Sequence, residues 1–459
     1  MVVFGFLFVL ATWNHHLEFT YPNHIDATAF DVHADFSALQ AEALLHGRLA
    51  VRPTPTDLLI LDDPWNPDTN IDAARCCGYH DLSLNNDKIY APQGFGTAVL
   101  IDIPTRLFGL GYANGPLKNL ILVTLGSWSL LQLTFLIRLK FSDEGMSLME
   151  LLLCFAAILI ANPATWLIVV GHFYAAAIAA GYMGMACGAL ILWYATNASN
   201  TRSRSSFPLL ATGVSMISLG AASRPSTLFV GIAVGACAIL ALLMGRNDCK
   251  WFLGSLTALF VPAAAIGGVW MWFNHARFGS IFETGHKFQL AGFNMRTYPI
   301  GSFEFVATNV RRYLFTPFHL EDRFPYLFLA PGNTSTDLTV QSHEDIVGAM
   351  IAYPLLLAAP FIVLCLAASK RAWPWFTGAV LVIGGSTASL LAISWLFKDS
   401  TMRYLPDFST GLVLLSSVMV SMTSRVARRN RRYGYLVPVI LSSFLLVSLP
   451  LLLARSTWS

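Results

Sequence analysis

The chain has 459 residues, of which 55% are hydrophobic and only 12% are charged. Soluble globular proteins carry about 25% charged residues, so this composition indicates a polytopic membrane protein. A formal charge of +3 is too small to suggest a nucleic-acid partner.

The first apolar segment, residues 1–13, predicts a helix of roughly 20 Å, shorter than the roughly 30 Å hydrocarbon core of a bilayer. It lacks the basic start and the small-residue cleavage site of a signal peptide. We therefore interpret it as a first transmembrane helix with a trimmed start.

Further apolar runs of spanning length follow, which gives about eleven transmembrane helices and an all-α polytopic fold. The predicted helices are 117–138, 147–162, 165–194, 207–222, 226–244, 251–273, 347–368, 374–396, 404–422 and 434–454, with a break expected at Asn162-Pro163. The short loops rich in Lys and Arg then all fall on one side, which the positive-inside rule assigns to the cytoplasm.

Two long segments, 14–116 and 274–346, then lie outside, before the transmembrane blocks 117–273 and 347–459. Both are rich in polar residues, Pro and aromatic residues. Such loops are typical of an enzyme that works at the outer face, because irregular backbone at a membrane needs protein or water around it. Within the first loop, the run 92–111 is too interrupted to span and predicts a helix lying along the membrane surface.

An acidic helix is predicted directly after the first segment, from Asp31 to His46 in DVHADFSALQAEALLHGRL, with Gly47 as its stop. At 100° per residue, Asp31, Asp35 and Glu42 fall within about 60° of one another. One interpretation is a solvated polar face. The other is a functional carboxylate, because clustered acids raise at least one pKa and favour a general base. The periodicity leaves both open.

The stretch DFSALQAEALLHGRL at 35–49 resembles the acidic juxtamembrane helix of glycosyltransferases of the GT-C superfamily, in particular the Rgt-like and family-39-like bacterial members. Later segments are similar to further motifs of that group and follow in the expected order: DDPWNP (62–67), HDLSLNNDKIYAPQGFGTAVLIDIP (80–104), FNHARFGSIFETGHKF (273–288) and RYLPDF (403–408). Two features depart from the pattern. Asp31-Val32 replaces the Asp-Glu pair of some branches, and Gln93-Gly94-Phe95-Gly96 replaces a Pro-Gly-Pro element.

The resemblance implies a GT-C-like fold and a hexosyltransferase that uses a polyprenyl-phosphate sugar donor. It implies transfer to a hydroxyl of a glycolipid, polysaccharide or protein, at the extracytoplasmic face of a bacterial plasma membrane, among membrane lipids. Asp35 or Asp31 is the implied catalytic base, and the spacing from Gly47 favours Asp35. The donor phosphate needs cations, and the predicted topology places Lys88, Arg224, Arg277 and Arg403 on the outer side. The predicted substrate-binding residues also include Glu42, His80 and Asp81. Some relatives use a divalent cation, which the clustered acids permit without requiring.

Each cation also has a structural interpretation. Arg224 is expected to cap a helix end or reach the membrane surface, and Arg277 to anchor an aromatic belt or pair with Glu283. Arg403 and Asp407 are spaced as an i, i+4 salt bridge.

Two other functions remain as alternatives. One is a transporter or flippase of a lipid or glycolipid, for which charges buried within the spans are expected, whereas the predicted spans hold almost none. The other is a non-catalytic membrane protein with a GT-C-like fold.

Overall fold

The structure is a computed structural model that describes most of the chain. The described residues are 2–20, 35–72, 79–141, 145–171, 173–198, 206–245, 249–320, 322, 327–330, 345–367, 373–429, 443–444 and 446–448. The candidate base Asp31 and most of the predicted helix 434–454 lie outside them.

The described chain is mainly helical, with three short antiparallel strand pairs. The helices are α1 Val2–Asn14, α2 Phe36–Leu45, α3 Thr56–Leu59, α4 Ile103–Leu107, α5 Gly115–Phe141, α6 Leu148–Leu159, α7 Pro163–Val170, α8 Phe173–Ala198, α9 Ser206–Ser223, α10 Leu228–Met244, α11 Cys249–Phe278, α12 Glu304–Phe315, α13 Ala349–Ala352, α14 Ala358–Ala367, α15 Trp373–Leu396 and α16 Leu405–Arg429. The strands are β1 Phe19–Thr20, β2 Ser83–Asn85, β3 Lys88–Tyr90, β4 Tyr112–Ala113, β5 His319–Leu320 and β6 Leu327–Phe328, paired β1–β4, β2–β3 and β5–β6. A π-helical turn, Ala98–Asp102, leads into α4.

Seven of the described helices are long and apolar enough to cross a membrane. They are α5, α8, α9, α10, α11, α15 and α16. The bent pair α6–α7, with an angle of 58° between its halves, raises the number to eight if it forms one span. The protein is therefore a helical membrane-embedded protein, and the predicted total of eleven spans is not reached among the described residues.

The differences from the predicted spans have local causes. Asn162 interrupts the helix as expected, because its side chain accepts a hydrogen bond from the Ala164 N–H and caps α7. A second break follows at Gly171, which is left-handed (φ 62°), so the helix predicted at 165–194 is divided between α7 and α8. The segment predicted at 347–368 is divided by a 3₁₀ turn at Pro354–Leu357, and α1 has only 13 residues.

The centre of the bundle is formed by α8, which packs against α5 and α9. Small residues allow this close approach: a Cβ on Gly184 of α8 would lie 2.8 Å from the Cα of Gly220 on α9. Close packing of this kind stabilises helix pairs in lipid, where apolar burial alone gives no driving force.

Charged side chains are buried at the ends of the helices, outside the middle of the spans, where the sequence predicted almost none. Arg138 and Glu150 form an ion pair of 2.9 Å with both side chains at most 1% exposed. The hydroxyl of Ser421 donates to the same Glu150 oxygen (2.5 Å), and Arg425 donates to the carbonyl of Phe141 (3.1 Å). These contacts join the basic ends of α5 and α16 at one end of the bundle.

The two long loops meet at the opposite end. The N–H of Asp81 donates to the carbonyl of Leu290 (3.0 Å), and the N–H of Leu290 donates to the carbonyl of Leu82 (2.9 Å). Asn85 adds a side-chain hydrogen bond to the carbonyl of Arg277 (2.7 Å). The first loop is therefore fixed against the segment that follows α11, and the two together cover the ends of the bundle helices.

Candidate functional site

A cavity of about 680 Å³ lies where the loops meet the ends of α9, α11 and α15 and the starts of α8, α10 and α16. Its charged wall consists of three cations, Arg224, Lys287 and Arg403, and three carboxylates, Asp81, Glu283 and Asp399. The predicted alternation of spans puts all six helix ends on one side. Four of the predicted site residues, Arg224, Arg403, His80 and Asp81, line this cavity.

Arg224 and Arg403 approach the same aromatic ring. The guanidinium carbon of Arg224 lies 4.1 Å from the centroid of Tyr404, and that of Arg403 lies 5.8 Å from it. Arg224 lies in the turn between α9 and α10, and Arg403 in the 3₁₀ turn before α16. One guanidinium group can bind a phosphate through two parallel N–H···O hydrogen bonds. Two such groups beside one ring therefore form a cavity wall suited to a phosphate group.

The buried carboxylate of Asp407 fixes the position of Arg224 in this wall. It is 0% exposed, lies 2.8 Å from Arg224 Nε, and accepts a hydrogen bond from the hydroxyl of Ser226 (2.6 Å). The partner that the sequence spacing predicted for Asp407 was Arg403, four residues earlier, whereas the structure gives Arg224. The reason is that Arg403 lies in the turn before α16, with its guanidinium 5.1 Å from the ring centroid of Tyr174.

Asp81 is fixed by its backbone and by its neighbours. It has a left-handed backbone (φ 62°), a conformation that Asn and Asp adopt more readily than other non-Gly residues. The phenol of Tyr174 donates to Asp81 Oδ2, and His80 Nε2 lies 3.7 Å from the same oxygen. The side chain stays 21% exposed. This carboxylate and the Arg403 guanidinium therefore flank the same tyrosine, one at its hydroxyl and the other over its ring.

The other two carboxylates are also oriented. The phenol of Tyr298 donates to Asp399 Oδ2 (2.6 Å), and the N–H of Gly285 donates to Glu283 Oε1 (2.8 Å). Glu283 lies within the quoted motif 273–288, whereas Asp399 lies in a segment for which the sequence offered no motif. Lys287 lies in the same motif but was not predicted as a site residue: it is an exposed side chain in the loop after α11, and only the folding of that loop over the helix ends brings it to the cavity.

His286 lines the cavity in its neutral form. Its ring packs edge-on against Phe397, with 5.4 Å between the centroids. Burial lowers the pKa of His286 to about 4, although the nearby Asp81 opposes the shift. Its folded-state pKa is thus below the unfolded value of about 6.5, so the unfolded chain binds more protons between pH 4 and 6.5.

Acidification is therefore expected to destabilise the wild-type protein more than His286→Gln. As the pH falls from 6.5 towards 4, this histidine lowers the free energy of unfolding by up to about 1.4 kcal/mol per pH unit. The check is the melting temperature of both purified proteins in detergent at pH 7 and pH 5. Other groups titrate in both proteins and cancel in the comparison. An equal drop in both would contradict the assignment.

The candidate base Asp35 lies elsewhere, in a buried cluster. It caps the N-terminus of α2, accepting from the N–H (2.8 Å) and the hydroxyl (2.7 Å) of Ser37. Lys118 Nζ lies 3.0 Å from Asp35 and 2.6 Å from Asp102, and both Lys118 and Asp102 are 0% exposed. Burial raises the pKa of Asp102 to about 6, although Lys118 opposes the shift. Asp35 therefore neither lies on a solvated helix face nor lines the cavity.

The remaining predicted residues also lie away from the cavity. Glu42 accepts a hydrogen bond from the phenol of Tyr112 and lies 3.3 Å from His46 and 3.9 Å from Arg106. Lys88 is exposed on β3, at the tip of the β2–β3 hairpin. The predicted acidic stripe is therefore divided: Asp35 is a buried cap, Glu42 joins a polar cluster, and Asp31 is outside the described residues.

Arg277 is a buried anchor and does not line the cavity. It is 1% exposed and donates through Nη1 to the carbonyl of Ala91 (2.6 Å) and through Nη2 to Asn274 Oδ1 (3.1 Å). Its guanidinium carbon lies 3.8 Å from the centroid of Phe273. The expected pairing with Glu283 is not found, since the described ion pairs do not include it.

No group of three or more His, Cys, Asp or Glu side chains among the described residues is arranged to hold a metal ion. The carboxylates of the cavity are each oriented by a phenol or a backbone N–H instead. A divalent cation therefore has no identified ligand set in the described part of the chain, and no step below depends on one.

Comparison with protein-family models, with curated proteins and with solved structures yields no match to this chain. The resemblance to GT-C glycosyltransferases is carried by the sequence motifs alone.

Proposed function

We propose that the protein is a membrane glycosyltransferase that moves a hexose from a lipid-phosphate donor to an acceptor hydroxyl in the cavity. The observation that carries this proposal is the placement of Asp81 and Arg403 on either side of Tyr174. Both groups line the same cavity, so a base and a phosphate-binding group are available to one bound substrate. The proposed donor is a polyprenyl-phosphate sugar, the acceptor is a glycolipid, polysaccharide or protein, and the reaction takes place on the extracytoplasmic side.

The proposed reaction is a single displacement. Asp81 takes the proton of the acceptor hydroxyl, and the oxygen forms a bond to the anomeric carbon. The bond from that carbon to the phosphate oxygen breaks, and the lipid phosphate leaves as an anion stabilised by Arg224, Arg403 and Lys287. The anomeric configuration is inverted. Stabilisation of the leaving anion is expected to be the larger contribution, with base catalysis adding about 10²–10⁴ in rate.

Asp81 fits the role of base better than Asp35. Asp35 is in contact with Lys118 and has hydrogen bonds to Ser37, so abstraction of a proton would break a buried ion pair. Asp81 faces the cavity and receives one oriented hydrogen bond from Tyr174. Asp31 stays a candidate on the resemblance, and it is tested beside Asp81 below.

Arg403→Gln is expected to weaken the binding of a short lipid phosphate such as farnesyl phosphate by about 10- to 100-fold, the loss of one charge-assisted contact. Lys88→Gln, which removes an exposed cation outside the cavity, is the matched control and should bind as the wild type does. Calorimetry on purified protein in detergent measures both. Equal affinities for all three proteins would contradict a phosphate site at Arg403.

A flippase for lipid phosphates is the second candidate, and the buried ion pairs favour it. Arg138–Glu150, Arg224–Asp407 and the Lys118 cluster are charges buried at the ends of the bundle helices, and a transporter is expected to bury charges among its helices. An assay in proteoliposomes distinguishes the two functions. It contains a radiolabelled lipid-phosphate sugar and an extract of acceptor molecules that carry hydroxyl groups. Transfer of label to the acceptor supports the glycosyltransferase, whereas movement of the intact donor between leaflets without transfer supports the flippase.

A further inference from the structure

The segment Pro92–Gln93–Gly94 forms part of the cavity wall and is held rigidly from behind. The carbonyl of Gln93 accepts hydrogen bonds from Gln40 Nε2 (3.1 Å) on α2 and from Nη1 of Arg277 (3.5 Å) at the end of α11. Both donors are buried, at 2% and 1% exposure. The backbone of Gln93 is thus fixed by two separate helices, and neither contact involves its side chain.

Close packing fixes the next residue as well. A Cβ on Gly94 would lie 1.7 Å from the carbonyl oxygen of Ala222 and 3.3 Å from Nε1 of Trp270. Only glycine fits there, so the wall is pressed against the end of α9 and against the Trp270 indole. Arg224 lies two residues after Ala222 in the chain. Gln93, Trp270 and the phosphate-binding cation therefore form one continuous surface of the cavity.

The polar side-chain groups on this surface have no partner in the described protein. Gln93 Oε1 and Trp270 Nε1 are buried and accept or donate no hydrogen bond among the described residues. A buried polar group without a partner costs about 1–3 kcal/mol. A bound ligand that supplied the missing hydrogen-bond partners would remove this cost, and no described residue pairs with either group.

The chemistry of the two groups indicates which ligand would do so. A primary amide both donates and accepts, and rotation about its last torsion exchanges its two ends at low cost. An indole donates one hydrogen bond and offers an apolar face. A donor-acceptor pair beside an aromatic face complements a ring that carries several hydroxyl groups.

We propose that Gln93 and Trp270 are specificity-determining residues that recognise the sugar of the lipid-phosphate donor while Arg224 and Arg403 bind its phosphate. This inference rests on the proposed function and adds to it the residues that select the sugar. It predicts that affinity for the sugar and affinity for the phosphate can be changed separately.

The test compares farnesyl phosphate with farnesyl phosphates that carry glucose, galactose, mannose or N-acetylglucosamine, bound to purified protein. The wild type should bind one sugar form more tightly than farnesyl phosphate. Gln93→Ala should bind farnesyl phosphate within about twofold of the wild type and lose about 3- to 10-fold for the preferred sugar, the value of one neutral hydrogen bond. Trp270→Leu should reduce the same preference, and Trp270→Phe, which keeps a ring, should retain more of it.

Two controls keep the outcome interpretable. Gln132→Ala removes a glutamine of α5 that does not line the cavity, and it should change nothing. Gln93→Met, which keeps the volume of the side chain but not its hydrogen bonds, replaces Gln93→Ala if that variant melts at a lower temperature than the wild type.

The outcomes distinguish this inference from the proposed function. If Gln93 and Trp270 variants weaken the sugar forms and farnesyl phosphate equally, or leave the ratio unchanged, the sugar-recognition proposal is overturned while the phosphate site stands. The same holds if no sugar form binds better than farnesyl phosphate. If the wild type binds none of these compounds, the proposed function fails first, and the inference with it.

Discussion

Replacement of Lys118 by Met is expected to destabilise the folded protein by about 3–5 kcal/mol, because it leaves two buried carboxylates without their shared cation. Asp102 is 0% and Asp35 7% exposed, so neither gains solvation when the ammonium group is removed. The measurement is the melting temperature in detergent at pH 7.5. The matched control is Lys140→Met, which removes an exposed lysine from the same helix and should have little effect.

Two further results would identify the cause of that loss. Burial raises the pKa of Asp102 to about 6, and its protonation relieves the repulsion from Asp35, so the deficit of Lys118→Met should shrink as the pH is lowered from 7.5 to 5. The triple variant with Asp35→Asn and Asp102→Asn should recover much of the stability, since removal of every charge of a buried cluster is tolerated better than removal of one. A deficit that is the same at both pH values would contradict the electrostatic explanation.

Asp81→Asn is expected to lower the rate of sugar transfer by about 10²–10⁴, the contribution of a general base. Asn keeps the shape of the side chain and can still accept from Tyr174, so binding of farnesyl phosphate should change little. The measurement is transfer of radiolabelled sugar by proteoliposomes. Asp57→Asn, an exposed carboxylate of the same loop, is the matched control.

Asp31→Asn and Asp35→Asn complete this comparison. Asp35→Asn should keep transfer near the wild-type rate, because Asn also caps helices and Lys118 retains Asp102 as its partner. Loss of transfer in Asp31→Asn, with normal transfer in Asp81→Asn, would move the base to Asp31. Normal transfer by all three variants would contradict base catalysis by any of these carboxylates.

The helical pattern of the sequence predicted which segments share one side of the membrane. Apolar runs and the alternation of basic loops put 80–94, 224, 270–300 and 396–404 on one side, and the structure brings them together. Arg224 and Arg403 could be found in this way because each lies in a short turn at the predicted boundary of a span. Gly171 shows the limit: an apolar run does not reveal where one glycine ends a helix.

The role of Asp35 could not be predicted from periodicity. The 100° rule treats every residue from 31 to 46 as helical, whereas α2 begins at Phe36 and Asp35 is its cap. Its partner Lys118 lies 83 residues later in a different helix, a pairing that no local pattern contains. Arg277 was placed among phosphate ligands because of its charge, and only the fold shows that it holds the carbonyl groups behind the cavity wall.

The most direct test of the account is to find where a lipid phosphate binds. A farnesyl phosphate with a photoreactive chain would be cross-linked to the purified protein, and the labelled peptides identified by mass spectrometry. We expect labels in 223–226, 282–287 and 396–404, which disappear with excess unlabelled farnesyl phosphate and weaken in Arg403→Gln. Labels confined to the exposed face of α11, unaffected by the competitor or by Arg403→Gln, would contradict a phosphate site in the cavity.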